Sequence, residues 1–229
     1  MNSVVIVAAG SGTRMGPGID KLFLELAGRP VIAHTWARFD AAADVDEIVL
    51  VVRAGLEAAF AELAAQYGFR RPFRCVAGGR ERQDSVWNGL ATIAGDDGLV
   101  AIHDGARPCV TSALITAVFA AAGVDGAAVA AQRTVDTVKE SDGGTWITGH
   151  LDRARLWAVQ TPQAFRLSVI RRAIAAARER GLQLTDDTAA CGLIQQRVRL
   201  VPSETPNPKV TSRADLPLIE WQLRTQNPA

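Results

Sequence analysis

Four short runs of nearly unbroken apolar residues constrain the fold more than anything else in the chain: Val4–Ala9, Ile48–Val52, Leu99–Ile102 and Ala127–Ala131. A strand that alternates apolar and polar residues has one wet face. A strand with no alternation is covered on both, which is the condition of parallel strands flanked by helices. Helical patterns fall between the runs. Pro30 suits a first helical position, and Ile32, Trp36 and Phe39 recur at i, i+4 and i+7. Leu56–Tyr67, Ser85–Ile93, Ser112–Ala122 and Leu167–Arg180 read as helices on the same grounds, the last ended by Gly181. Strand and helix in alternation predict an α/β fold with a doubly wound, mostly parallel sheet, Rossmann-like in plan. Ligands of such sheets bind beyond the carboxyl ends of the strands.

The 229 residues predict one domain, residues 1–229, with a core that needs no disulfides. The alternation breaks only at residues 134–157. There Thr134–Lys139 and Trp146–His150 read as two strands around Gly143-Gly144, a hairpin arm that is either a plain surface hairpin or a working excursion. Pro202–Pro208 reads as a loop before a last helix. Lys and Arg number 25 against 24 Asp and Glu, a net charge of +1, which excludes broad nucleic-acid binding and leaves phosphate recognition to local clusters. No 18-residue apolar run is present, so no membrane span is expected. Val4–Ala9 lacks a basic flank and reads as a strand rather than a signal peptide. Three scattered cysteines, Cys75, Cys109 and Cys191, form no metal or disulfide spacing and suit a reducing cytoplasm.

The first strand runs into Ala8-Ala9-Gly10-Ser11-Gly12-Thr13-Arg14-Met15-Gly16 and then Lys21. Glycines let backbone N–H groups approach an anion, and Arg14 and Lys21 add fixed charge, so the turn reads as a triphosphate site. It is neither a Walker loop nor the dinucleotide fingerprint, whose third glycine would fall at Met15. That spacing disfavours an NAD(P)-linked oxidoreductase. A second polar turn, Gly78-Gly79-Arg80-Glu81-Arg82-Gln83-Asp84-Ser85, either reads a base edge or caps a helix through Asp84 or Ser85. Asp104, in His103-Asp104-Gly105-Ala106-Arg107-Pro108, follows a strand and is placed to orient Mg²⁺ on phosphates. His103 reads as packed, His34 and His150 as structural, Trp157 as core, and Thr185 as a cap with Asp186 and Asp187 in the first turn. No nucleophile–base set stands out. Arg, Lys, Thr and backbone N–H groups suit phosphate transfer without a covalent enzyme intermediate.

These pieces, with Asp136-Thr137-Val138-Lys139, Asp152-Arg153, Leu156-Trp157, Gln160-Thr161-Pro162-Gln163, Thr185-Asp186 and Lys209-Val210-Thr211, together resemble the 2-C-methyl-D-erythritol 4-phosphate cytidylyltransferase family over nearly the whole chain. The resemblance implies transfer of CMP from CTP to methylerythritol 4-phosphate with release of pyrophosphate, in isoprenoid synthesis. It implies Arg14 and Lys21 at the α-phosphate and a cytidine site of Ala8, Ala9, Gly10, Gly12, Gly79, Arg82, Ser85, Asp104 and Gly105. It implies an acceptor site of Asp104, Thr137, Arg153, Thr161, Thr185 and Lys209. Mg²⁺ or another divalent cation would be held mainly through the CTP phosphates, with Asp104 as the candidate protein ligand. Arg80 departs from the family pattern, which often carries an acid there. The arm would join a homodimer, each arm completing its neighbour's pocket. The cousin enzyme for ribitol 5-phosphate, or a nucleotidylyltransferase for another sugar phosphate, is the alternative. A non-catalytic nucleotide-binding module is disfavoured, because it would not need donor and acceptor residues together.

Overall fold

The computed structural model describes residues 1–10, 12, 15–16 and 18–226. In chain order the elements are β1 (Asn2–Ala8), β2 (Glu25–Leu26), β3 (Arg29–Pro30), α1 (Val31–Asp40), β4 (Glu47–Val52), α2 (Glu57–Tyr67), β5 (Phe73–Ala77), α3 (Arg82–Ala91), β6 (Leu99–Asp104) and α4 (Ser112–Asp125). There follow β7 (Ala127–Arg133), β8 (Lys139–Ser141), β9 (Ile147–His150), β10 (Trp157–Arg166), α5 (Leu167–Glu179), α6 (Asp187–Gly192), β11 (Arg199–Pro202) and α7 (Leu216–Gln226).

Seven strands form the main sheet in the order β11-β7-β10-β6-β1-β4-β5. All pairings are parallel except those of β10, which runs antiparallel to β6 and β7. The four apolar runs are the strands expected. They lack alternation because both faces are covered. On one face Val4, Ile6, Ile48 and Leu50 pack on α1, α2, α4 and α7 through Trp36, Phe60, Ile115 and Ile219. On the other, Val5, Val49, Val51 and Ile102 pack on α3, α5 and α6 through Leu90, Ile170 and Cys191. From β1 the chain winds outward to β4 and β5, then crosses back to lay β6 on the other side of β1. The carboxyl ends of β1 and β6 therefore flank a switch point, where a crevice opens.

Several strands depart from the sequence expectation. β10 carries Gln160, Thr161, Pro162 and Gln163 in its middle, and its register shifts between Val159 and Gln163. Such a polar, bulged strand has no apolar signature. β5 and β11 are sheet edges, with Arg74 and with Arg199 and Pro202. The arm forms a hairpin, but its first strand is Lys139–Ser141 rather than Thr134–Lys139. Trp157 is half-buried under the Arg133 guanidinium, 4.7 Å from its ring centroid, rather than in the core.

Candidate active site

The loops at the carboxyl ends of the parallel strands enclose two adjoining clefts. The first, of about 190 Å³, is lined by Ala9 and Gly10 after β1, Lys21, the Gly79–Arg82 turn after β5, Ser85, Asp104 and Lys209. The second, of about 570 Å³, is lined by Thr161 and Gln163 of β10, Thr185, Asp186 and Arg107, and again by Arg82, Asp104 and Lys209. Arg82, Asp104 and Lys209 are thus a wall shared by both.

Asp104 is the centre of that wall. Lys209 Nζ lies 2.8 Å from its Oδ2, Arg82 Nε 3.3 Å from Oδ1 and Arg107 Nε 3.6 Å from Oδ2. Burial alone would raise its pKa, but Arg82 and Lys209 outweigh that and hold the carboxyl well below the usual carboxylate range. Arg82 also reaches Asp187, Nη1 to Oδ2 at 2.8 Å, off the line of a hydrogen bond. Burial opposes the charged guanidinium, yet Asp187 and Asp104 push its pKa up. Asp187 itself is raised, because burial outweighs the attraction of Arg82.

The turn before α3 needs its glycines for space. A Cβ on Gly79 would lie 2.3 Å from Asp84 Cβ. Gly79 N–H donates to Ser85 Oγ (3.0 Å), and the Ser85 hydroxyl donates to the Glu81 carbonyl (3.2 Å). The helix starts three residues earlier than expected, at Arg82, with Glu81 at its cap position and Asp84 accepting the Glu81 N–H at 3.2 Å. At α6 the cap is Asp186, which accepts from Ala189 N–H, rather than Thr185. Gly105 is a packing glycine: a Cβ there would meet Ile32 Cδ1 at 2.9 Å.

His103 is fully buried beside Asp104, and burial drives its pKa down to about 3 against the Arg107 carbonyl. The neutral ring donates from Nε2 to that carbonyl (3.1 Å), so Nδ1 accepts from the Thr161 hydroxyl (3.1 Å). Thr161 Oγ1 in turn accepts the Asp104 N–H at 3.1 Å.

Of the residues expected at the nucleotide, Ala9, Gly10, Gly79, Arg82, Ser85 and Asp104 line the first cleft, with Lys21 and also Arg80. Ala8 turns into the core, Gly12 packs on the Lys21 side chain, and Gly105 sits beneath the cleft floor. Arg14 lies outside the described residues. Asp104, Thr161, Thr185 and Lys209 line the second cleft. Thr137 and Arg153 do not. They ride on the exposed arm, where Arg153 donates to the Val135 carbonyl at 2.8 Å. Arg107, Asp187 and Asn207 were not expected in the site. Arg107 meets Asp104, Asn207 meets the Thr161 carbonyl and Asp187 meets Arg82, and of the three only Arg107, in the Ala106-Arg107-Pro108 motif, had a local signal.

Among the described residues no three His, Cys, Asp or Glu side chains gather as a metal cage. Among the described carboxylates that line the clefts, only Asp104 faces both, with each oxygen already paired to a cation. That donor set fits a metal carried on substrate phosphates and touched by one carboxylate, rather than one held by the protein alone.

Two adjoining clefts that share Arg82 and Lys209, at the switch point of a parallel sheet, have the arrangement that suits a nucleotidyltransferase. The sequence profile described as 2-C-methyl-D-erythritol 4-phosphate cytidylyltransferase matches residues 2–225, and the chain belongs to that family. The cytidylyltransferase of that name from Pelotomaculum thermopropionicum is 41% identical over 225 residues, 98% of this chain and 94% of the relative. A bifunctional enzyme named IspD/IspF from Desulforudis audaxviator is 44% identical over 220 residues, 96% of this chain and 56% of the relative. The crystal structure of 2-C-methyl-D-erythritol 4-phosphate cytidylyltransferase from Thermus thermophilus superposes with a TM-score of 0.79 at 33% identity, covering 97% of this chain and 98% of the other. That of 4-diphosphocytidyl-2C-methyl-D-erythritol synthase from Anaerococcus prevotii reaches 0.86 at 28% identity, covering 97% and 96%.

Proposed function

We infer that this chain transfers CMP from CTP to 2-C-methyl-D-erythritol 4-phosphate, giving 4-diphosphocytidyl-2-C-methyl-D-erythritol and pyrophosphate. The family membership supports the reaction. The observation that carries the mechanism is the wall of Arg82, Asp104 and Lys209 between two clefts. CTP takes the smaller cleft, its base edge toward the Gly79–Ser85 turn. The acceptor takes the larger one.

A phosphate oxygen of the acceptor attacks the α-phosphorus in line. A new P–O–P bond forms, the α–β anhydride bond breaks, and its electron pair leaves with pyrophosphate. Negative charge grows on the equatorial and leaving oxygens. Lys21 and Lys209, which face the clefts, and Arg14 counter it, each fixed donor worth about 2.7–4 kcal/mol of barrier. Lys21 is aimed by donation to the Val210 carbonyl at 2.9 Å, next to Lys209. Asp104 would be the carboxylate nearest a Mg²⁺ carried on the CTP phosphates, and the ion would supply further neutralisation. No nucleophilic side chain is needed, because the acceptor brings its own phosphate.

The arm completes the acceptor site in a homodimer. It carries Thr137 and Arg153 away from their own clefts and leaves Val135, Trp146 and Ile147 exposed, Trp146 by 72%. A two-stranded hairpin with such a surface is marginal alone. A two-fold partner covers it and receives the same arm in return. The enzyme works in the cytoplasm on this reading. No helix among the described residues is long and apolar enough to cross a membrane. Incubating the purified protein with CTP, methylerythritol 4-phosphate and Mg²⁺ tests the function. Phosphorus NMR is expected to show a new nucleotide diphosphate diester and pyrophosphate. Unchanged CTP under these conditions would remove the assignment.

A further inference from the structure

Behind the clefts a closed ring of hydrogen bonds ties together three segments remote in sequence. Asp104 N–H meets Thr161 Oγ1, Thr161 meets His103 Nδ1, and His103 Nε2 meets the Arg107 carbonyl, each at 3.1 Å. The Arg107 guanidinium donates to the Asn207 carbonyl at 2.7 Å. Asn207 Nδ2 closes the ring on the Thr161 carbonyl, also at 2.7 Å. The loop after β6, the middle of β10 and the loop after β11 are thereby held as one piece.

Asn207 enters the ring from the loop after β11. It is 1% exposed and lines neither cleft, so its side chain does not touch a substrate. Its amide orientation is fixed, because only Nδ2 can face a carbonyl, and Oδ1 is left buried without a donor. A side chain paired at one end and orphaned at the other is an expensive way to add stability. What it supplies is placement. Asn207 stands two residues before Lys209, in a stretch without helix or strand between Pro202 and Arg213. The next tether is Val210 N–H to the Ala106 carbonyl, 2.8 Å.

We propose that Asn207 is a positioning residue for Lys209. Backed by Thr161 and His103, it sets the loop so that Lys209 Nζ meets Asp104 across the wall between the clefts. The same ring gives Thr161 its part. Its oxygen holds the Asp104 backbone from behind, so Thr161 acts through Asp104 rather than as a donor to the acceptor phosphate. This rests on the assignment of Lys209 to the transfer step. Displacing a catalytic cation by about 1 Å can cost up to about 10²-fold in rate. Since the Val210 tether survives, an intermediate loss of about tenfold in kcat is expected from Asn207→Ala.

The test is a double-mutant cycle on the full chain: Asn207→Ala, Lys209→Ala and both together, with kcat, both KM values and thermal unfolding recorded. Asn207→Ala is expected to lower kcat about tenfold, to leave the CTP KM within about twofold, and to add nothing in the Lys209→Ala background. Losses that multiply in the double variant would overturn the proposal. An unimpaired Lys209→Ala enzyme would instead overturn the assignment beneath it. Should Asn207→Ala not fold, Thr161 reads the same ring. Thr161→Ser keeps the oxygen and is expected within about threefold of the parent, while the near-isosteric Thr161→Val falls about tenfold in kcat. Parental kcat in Thr161→Val would refute the ring's role.

Discussion

Replacing Arg82 with leucine tests the electrostatics of the shared wall. Its Nη1 lies 2.8 Å from Oδ2 of Asp187, a side chain only 2% exposed. Removing one partner of a buried ion pair costs about 3–5 kcal/mol, because the other charge stays buried. Arg82 is 32% exposed at the cleft mouth, and Asp104 keeps Lys209 and Arg107, so the loss falls mainly on Asp187. The low end, about 3 kcal/mol, is therefore expected. At about 2–4 °C per kcal/mol for a chain of this size, Tm should drop by about 6–12 °C. The loss also has a pH signature. Burial already holds the Asp187 pKa above its ordinary value, and deleting the guanidinium raises it further. A carboxyl whose folded pKa exceeds its unfolded one destabilises the fold once the pH passes the unfolded value, and protonation relieves the penalty as the pH falls. The deficit of the variant should be largest at pH 7–8 and shrink toward pH 5. Thermal unfolding of both proteins by circular dichroism across that range measures it. A Tm within about 2 °C of the parent at pH 8, or a deficit independent of pH, would refute the reasoning.

Three further outcomes follow from the site. Arg14→Ala and Lys21→Ala should each cut turnover at least about a hundredfold in a folded protein, and near-normal steady-state rates would remove their roles. CTP should exceed UTP by at least about tenfold in kcat/KM, since the uracil carbonyl would face acceptors suited to the cytosine amine; equal use of UTP would contradict this. Mixing inactive Arg14→Ala and Arg153→Ala subunits should restore about a quarter of the sites, because half the dimers are mixed and each then holds one intact pocket. No recovery despite demonstrated subunit exchange would refute the shared site.

The parallel core was legible because burial on both faces leaves strands such as Ile48–Val52 without polar residues. β10 was not legible. Its middle lines the second cleft, so Gln160, Thr161 and Gln163 replace the apolar pattern that would have marked it. The site divides along the same line. Glycine-rich turns after strands and the Asp104 motif carry local signatures. The Arg82–Asp187 pair and the Asn207 bridge join residues remote in sequence through the fold alone, and Asn207 before Pro208 reads as nothing more than a loop. Roles for Thr161, Arg153 and Lys209 came from the family resemblance, since a lone Thr, Arg or Lys has many surface uses.

The most direct test of the account is the choice of acceptor. With CTP and Mg²⁺ fixed, pyrophosphate release is measured against methylerythritol 4-phosphate and ribitol 5-phosphate over a range of concentrations. The account predicts a kcat/KM at least about tenfold higher for methylerythritol 4-phosphate, the scale on which a shaped pocket separates substrates differing by a methyl or a hydroxyl-bearing carbon. Equal or faster reaction with ribitol 5-phosphate, or no pyrophosphate release with either acceptor, would contradict it.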